Sequence, residues 1–523
     1  MDILSFEYGS VYVKYYPFLI FYIALFFLRP SFLVLAYIVM SVFQATSFIE
    51  VNLGEKLVKV PHYHFIAFLL TGRLVIDIVF RRFRYEDIKE LFSSRIVVVL
   101  SLFVLYVVVS SFVLPKIFAG VLVDYPHDGI SRSFVPVQWS IINLGQAVYL
   151  FITFVVLLYG LLSMQKEKIA YKEVALRLFE YISFFVVIVS VVQLLLRADG
   201  IYIFTFLFDH HPYQYSAGNG LMRVNGTFHE PSFLVVLLAP FVMYSMLRFF
   251  GGHRLKYGLF IVATALAVFG AGSTTWITGI APLMLMLVAY GIYKRSFRDT
   301  MNATLLLLVG YILYVLAVET LPKKDIDVWF VVLLVFLIIS IVGIVVASYR
   351  YSINIERKNI VKTTITIGVI SMVAVVFLVV NYVDMSMFDA TNIQRHLNKI
   401  STSHVRIVSD LRSWDIFLET YGLGVGVGSH RNSSFLFYML ATTGFIGTFL
   451  FGYFLWLLFY KGIKIQKVCQ DQPISLILTI SLIYMVAIKS IAIPDLVFPT
   501  MWVFVLMSLL YSLDNKLNYR NEI

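Results

Sequence analysis

Two stretches of this chain gather the residue types that bind anions and move protons. The first reads Arg223-Val224-Asn225-Gly226-Thr227-Phe228-His229-Glu230-Pro231-Ser232. Its Glu230 can orient a hydroxyl or take its proton, with Arg223 and His229 as cationic or hydrogen-bonding neighbours. Pro231 suits the first turn of a helix, where its missing N–H costs nothing. Glu230 then falls at the helix cap, beside the positive end of the helix dipole. An ion pair between Arg223 and Glu230 that only closes the helix end fits the same residues.

The second stretch is Tyr421 to Ser434, with Gly422, Gly424, Gly426 and Gly428 at every second position. Such spacing does not hold a helix, and it lets backbone N–H groups approach an anion closely. No Lys-Ser/Thr pair comes after the glycines, so a nucleotide P-loop is excluded. Instead the chain continues with His430, a second candidate for proton transfer, and Arg431, whose planar fork matches phosphate oxygens. Just upstream, 392–420 reads as an amphipathic helix with Ile407, Leu411, Trp414 and Phe417 at three- and four-residue spacing. Its cations are Arg395, Lys399, Arg406 and Arg412. Such a helix suits the plane of a membrane interface, although an ordinary i,i+4 pair of Arg406 with Asp410 also accounts for Arg406. The combined chemistry is recognition of a phosphate-bearing substrate and activation of a hydroxyl. The loops hold no acidic pair or His/Asp cluster at metal-ligand spacing, so no metal and no cofactor are expected.

The elements that must position these residues are membrane helices. Of the 523 residues 60% are hydrophobic and 14% charged, whereas a water-exposed surface needs a charged share of roughly a quarter. Apolar runs at 12–28, 96–114, 330–347 and 363–380 are each long enough to cross about 30 Å of hydrocarbon as helices. The first run lacks a basic n-region and an A-x-A-like site, so it is expected to remain as a span. The single cysteine, Cys469, excludes an intrachain disulfide and a multi-cysteine metal site. The net charge of +11 lies in short loops between the spans, which is the mark of a membrane protein rather than of a nucleic-acid binder. Aromatic residues, 16% of the chain, suit sugar stacking but mostly belong to spans and interfaces.

Basic clusters recur at alternate gaps: Arg81 to Arg95, Lys166 to Arg177, His253 to Lys256, Lys294 to Arg298, Arg350 to Lys362 and Lys461 to Lys467. The positive-inside rule puts these in the cytoplasm. The gaps near 115–136, 197–230, 320–327, 383–434 and 490–496 then lie outside. The expected fold is an all-α polytopic bundle of about 14–15 transmembrane helices, a single membrane domain over 1–523. Its N-terminus, with Asp2 and Glu7, is external and its C-terminus cytoplasmic, or internal at both ends if one N-terminal stretch is re-entrant. The two long external loops, 197–230 and 383–434, carry positive charge against the orienting bias and form the expected site. Gly270-Ala271-Gly272-Ser273-Thr274-Thr275, at another outer boundary, reads as a close helix-packing stretch.

Together these motifs resemble the O-antigen polymerase and O-antigen ligase superfamily of bacterial envelope enzymes. The resemblance runs over most of 180–515. It is carried by Arg223-x-x-Gly226-Thr227-x-x-Glu230-Pro231-Ser232, by Ser273-Thr274, by Gly422-x-Gly424-x-Gly426-x-Gly428-Ser429-x-Arg431-x-Ser433-Ser434, and by Gly444-Phe445-Ile446-Gly447. Ligases of the superfamily have a histidine, then Asn, Ser or Gln, then nine residues, then Gly-x-x-Gly. In this chain Ser433 stands at the histidine position, with His430 three residues away, which favours the polymerase branch. The resemblance implies joining of oligosaccharide repeat units carried on undecaprenyl pyrophosphate, in the bacterial cytoplasmic membrane with the active site outside. The product would be an O-antigen or capsular polysaccharide, made beside a chain-length regulator protein. Glu230 is the first candidate base and His430 the second. Arg223, Arg406, Arg412 and Arg431, with the amides of Gly424, Gly426 and Gly428, are the candidates for the pyrophosphate. A ligase-type glycan transferase and a transporter or flippase for lipid-linked oligosaccharides are the alternatives. Transport predicts charges along a path inside the spans, and the sequence offers Arg73, Asp77 and Lys489, of which the first two can neutralise each other at i,i+4.

Overall fold

The computed structural model describes the backbone of residues 6–8, 11–13, 16–52, 57–127, 131–166, 170–204, 224–250, 254–294, 297–320, 404–468 and 474–513, and the side chains of most of these. The expected spans at 330–347 and 363–380 lie outside the described residues, as do Arg223, Arg395 and Lys399.

Among the described residues seven helices are long and apolar enough to cross a membrane, and five more apolar helices are shorter. The chain opens with strands β1 (Phe6–Tyr8) and β2 (Val11–Val13), then α1 (Tyr16–Phe27) and α2 (Pro30–Met40). Strands β3 (Ser47–Asn52) and β4 (Leu57–Pro61) complete an antiparallel sheet in the order β1-β2-β3-β4. The first apolar run is therefore no single span. Its beginning pairs as β2, with Val11 opposite Val51, and the helix starts only at Tyr16. Aromatic and β-branched residues favour this pairing.

Next come α3 (His62–Val79), the short α4 (Tyr85–Phe92) and α5 (Arg95–Ile117), followed by a hairpin of β5 (Leu122–His127) and β6 (Ser131–Pro136). The helices α6 (Ile141–Lys166), α7 (Ala170–Phe204), α8 (Pro231–Phe250), α9 (Arg254–Gly270), α10 (Thr274–Lys294) and α11 (Phe297–Thr320) continue the bundle. It closes with α12 (His404–Glu419), α13 (Phe435–Val468), α14 (Ile474–Ala492) and α15 (Pro499–Leu513).

Packing separates two kinds of helix. On α5, Val97, Leu100, Phe103, Val104 and Val107 are buried, yet Leu102, Leu105 and Val113 on the other side are exposed, Leu105 by 60%. In water those leucines would be a liability, whereas hydrocarbon accepts them. The helices α8 and α15 are apolar all round and buried almost throughout, as a central helix must be.

Hydrogen bonds and ring contacts sort the helix ends into two groups. One end of the bundle joins the segment after α2 to Thr227, whose hydroxyl donates to the Val42 carbonyl at 2.5 Å. The same end joins the end of α9 to Val224, whose amide donates to the Gly270 carbonyl at 3.2 Å. The ends of α5 and α14, the starts of α6, α8, α13 and α15, and the β5–β6 hairpin lie here too. The opposite end joins Arg29 to Tyr171 (3.3 Å) and Lys256 to Glu180. The gaps near 115–136, 224–230, 421–434 and 490–496 thus share one end.

Candidate functional site

The loop before α8 is fixed by its small residues. Gly226 takes a φ of +58°. A Cβ there would lie 2.8 Å from the Ser190 hydroxyl and 2.9 Å from Leu234, so glycine is required for sterics and for conformation. Its amide donates to Gln193 Oε1 at 2.9 Å and its carbonyl accepts from Gln193 Nε2 at 3.1 Å. The Gly-Thr pair of the motif therefore ties the loop to α7 and to the segment after α2. Beyond it, His229 and Glu230 are exposed. The Glu230 carbonyl receives the amides of Phe233 (3.1 Å) and Leu234 (3.3 Å), and the Ser232 hydroxyl donates to its carboxylate at 3.1 Å. Glu230 thus stands at the cap of α8, as its place before Pro231 predicts.

The glycine loop has a different internal logic from the one expected. Gly422, Gly424, Gly426 and Gly428 all have φ between +76° and +88°, but their amides are already used. Gly422 donates to the Phe417 carbonyl (2.8 Å), Gly424 to the Thr420 hydroxyl (3.0 Å) and Gly426 to the Thr442 carbonyl (2.9 Å). The Gly428 backbone hydrogen-bonds the Tyr438 hydroxyl. This corrects the expectation that Gly424, Gly426 and Gly428 leave N–H groups for an anion. What the glycines provide is close approach. A Cβ on Gly424 would sit 2.8 Å from the Thr442 carbonyl, and one on Gly428 would sit 2.9 Å from Asn143 Cα. Asn143, at the start of α6, clasps the loop by donating to the Val427 carbonyl (2.8 Å) and to the Ser429 hydroxyl (2.7 Å).

His430 faces inward. It is 3% exposed; its Nδ1 accepts the Asp124 amide at 3.2 Å and its Nε2 lies 2.8 Å from the Ser413 hydroxyl. An Nδ1 that accepts leaves Nε2 to carry the proton and donate. Ser413 in turn donates to the Ser409 carbonyl at 2.9 Å. Both ring nitrogens are committed, so His430 joins the hairpin to α12 and does not stand open as a base. Sequence spacing alone carries no information on which way a loop histidine points.

The three arginines of this region fare differently. Arg412 is occupied: it donates twice to the Leu122 carbonyl (3.2 and 2.6 Å) and pairs with Glu419 at 2.8 and 3.3 Å. It locks α12 to β5, and its fork is not open to a phosphate. Arg406 lies on α12, with its side chain outside the described residues. Arg431 is exposed, and its guanidinium makes no ion pair among the described residues. Its amide is held by the Asp124 carbonyl at 3.0 Å.

Helix α12 is inverted relative to a helix in water. Its buried face carries the hydroxyls of Ser409 and Ser413 beside Ile416, while Ile407, Leu411 and Trp414 are exposed. Asp410 accepts the Ser434 hydroxyl at 2.8 Å. The amphipathic periodicity is as expected, and the polar side is the one that packs on the glycine loop.

The two loops meet through α14 and the turn after it. Phe228 and Phe233 pack on Phe498 with ring centroids 6.4 and 5.7 Å away. The Lys489 ammonium lies 4.6 Å from the centre of Phe498 and 5.2 Å from that of Phe435, the first residue of α13. It also donates to the Asp495 carbonyl at 2.5 Å. Glu230 and Arg431 thus sit on segments bridged by one buried lysine. In the sequence Lys489 stands out only as an in-span charge and Asp495 not at all, because a lone carboxylate in a short gap has no motif. Asn143, in the first turn of α6, and Asp124, in β5, hold the loop but belong to no recognisable motif. Among the described residues no three His, Cys, Asp or Glu side chains gather as a metal requires.

The fold and site define a polytopic helical protein with apolar spans and two loop segments joined at one end. Compared with family models, curated proteins and solved structures, the chain matches none.

Proposed function

We propose that the chain polymerises lipid-pyrophosphate-linked oligosaccharide repeat units into a surface polysaccharide at the outer face of a bacterial cytoplasmic membrane. About 15 spans, an external N-terminus and a cytoplasmic C-terminus complete the topology. One observation carries the reading: the Glu230 segment and the Arg431 segment, distant in sequence, converge at one end of the bundle with both side chains exposed.

The reaction breaks the bond between the donor's reducing-end sugar and its pyrophosphate, which leaves with the electron pair. The acceptor hydroxyl forms the new glycosidic bond and gives up its proton. Arg431, with Arg223 and Arg406, meets the charge that builds on the leaving pyrophosphate. Glu230 orients the acceptor hydroxyl and takes the proton. The exposed apolar side of α12 rests in the membrane interface and brings the site to the height of a lipid-borne phosphate. The ligase alternative needs a histidine where Ser433 stands, and His430 is turned inward. The transport alternative draws little support from the in-span charges, since Arg73 and Asp77 pair with each other at 3.2 Å.

Deletion of the gene in its source cell tests the reading on a gel of surface polysaccharide. The ladder is expected to collapse to an acceptor bearing one repeat unit. Long chains stranded on the lipid carrier would instead mark a ligase, and absence of any external unit would mark a transporter. Arg223→Ala and Arg431→Ala are each expected to abolish polymer while the protein stays in the membrane.

A further inference from the structure

At the bundle end opposite the two loops, cations and aromatic rings alternate across α7, α8 and α9. Arg177 and Tyr181 stand one turn apart on the exposed side of α7. The Lys256 ammonium, in the first turn of α9, lies 5.5 Å from the ring centre of Tyr181 and 5.2 Å from that of Tyr257. Arg248, in the last turn of α8, lies 5.2 Å from the same Tyr257 ring, and its Nε donates to the Tyr257 hydroxyl at 3.0 Å. Helix register and direct contacts thus fix one row: Arg177, Tyr181, Lys256, Tyr257, Arg248.

Two carboxylates accompany these three cations. Glu180 is spent on Tyr244, Tyr257 and Lys256. Glu173 pairs with Arg177 at 3.8 Å, but both side chains are more than half exposed, and such a pair is weak. Arg248 has neither carboxylate in contact. Among the described residues its two terminal nitrogens have no hydrogen-bond partner, and neither is sealed inside the protein. An open guanidinium fork matches phosphate oxygens. Toward the middle of the bundle the adjoining surface turns apolar. Phe185 and Ile188 continue the line of Tyr181 along α7, Leu259 lies beside them on α9, and all three are exposed. The stacked rings of Phe184 and Phe260, with centroids 4.4 Å apart, join the two helices at this level. A soluble anion would use the cations and leave the apolar strip bare, whereas a phospholipid uses both. The surplus positive charge favours an anionic headgroup over one that carries its own cation.

We propose that Arg177, Lys256 and Arg248 form a headgroup site for an anionic phospholipid, with its acyl chain along Phe185, Ile188 and Leu259. The site lies at the far end of the bundle from Glu230 and Arg431 and stands whether or not the chain is a polymerase.

The test is native mass spectrometry of the full-length protein released from nanodiscs of equal phosphatidylglycerol and phosphatidylcholine. Wild type is expected to retain phosphatidylglycerol in preference. Arg248→Gln and Arg177→Gln should each cut that preference about fivefold, and thermal melts check that both fold. Lys256 is left in place, because its removal strands the buried Glu180. Lys464, 4.6 Å from the Tyr460 ring on α13, is a cation of the same end on another helix, and Lys464→Gln should leave the preference unchanged. Equal retention of the two lipids by wild type, or an undiminished preference in both folded arginine variants, overturns the site. An equal loss in Lys464→Gln overturns it too, since attraction would then follow net charge alone. A melt raised as much by inorganic phosphate as by phosphatidylglycerol would mark a site for a free anion and overturn the lipid.

Discussion

The two ends of the bundle treat buried charge in opposite ways. Away from the site, Asp77 is 4% exposed and is met by Arg73 at 3.2 Å, Arg82 at 3.6 Å and the Tyr159 hydroxyl. Glu180 is likewise closed, with Tyr244 at 2.7 Å, Tyr257 at 2.5 Å and Lys256 around it. At the site end Lys489 is fully buried but leans on one carbonyl and two phenyl faces, and the Asp495 carboxylate acts on it electrostatically without a direct ion pair among the described residues. A saturated centre serves the fold, because its charges have no capacity left. A centre held by weak partners, among loops with an exposed Arg431 and Glu230, is the weaker structural lock of the two.

The contrast breaks most visibly at Asp77. Asp77→Ala strands Arg73 and Arg82 and should cost about 3–5 kcal/mol, read as a large loss of thermal stability in detergent. A melt close to wild type would show that the pair is not a structural lock. Arg431→Ala belongs to the other class: polymer-forming rate should fall roughly 10²–10³-fold with the melting curve unmoved. Loss of stability along with rate would place Arg431 in the scaffold. Gly424→Ala puts a methyl against the Thr442 carbonyl at a left-handed backbone and should cost about 1–3 kcal/mol, lowering activity only as far as the fold suffers. Lys489→Met removes the donor to the Asp495 carbonyl, while the Asp495 carboxylate keeps its Val497 amide, and should cost about 1 kcal/mol; a loss as large as that of Asp77→Ala would erase the distinction. The smallest effect is expected at Ser433, where Ala should change stability by about 0.5 kcal/mol or less and leave the polymer ladder near normal length. Complete loss of polymer there would return the ligase reading.

Much of the architecture is legible because lipid simplifies it. A span must be a long apolar helix, so Ile96 to Leu114 announces α5 within a few residues. Alternating basic gaps group the loops at one end because their sign is set by orientation and not by packing. The N-terminal sheet is lost in the same signal: a run rich in Phe, Tyr and Val reads as apolar whether it pairs or coils. At the site, spacing finds the Glu230 cap because Pro231 restricts it, and finds the glycines because only they tolerate such a backbone. Spacing does not find what the glycine amides are bonded to, nor that His430 and Arg412 point into the protein. Those outcomes depend on Asn143, Asp124 and Leu122, some 280 to 310 residues away in sequence.

The break in α13 binds the glycine loop to the bundle in a way that sets how either can move. Gly444, with φ +64° and ψ −166°, interrupts the helix, and the hydrogen bonds it releases are completed by the loop. Phe445 donates to the Gly422 carbonyl at 2.8 Å, while the Ala441 and Thr442 carbonyls accept Val425 and Gly426 at 2.9 Å each. The loop is thereby spliced into the helix ladder as though it were a missing turn. Bending at the break and displacement of the loop are then one mechanical coordinate. A spin-label distance across the bend of α13 would therefore report any displacement of the loop beside it.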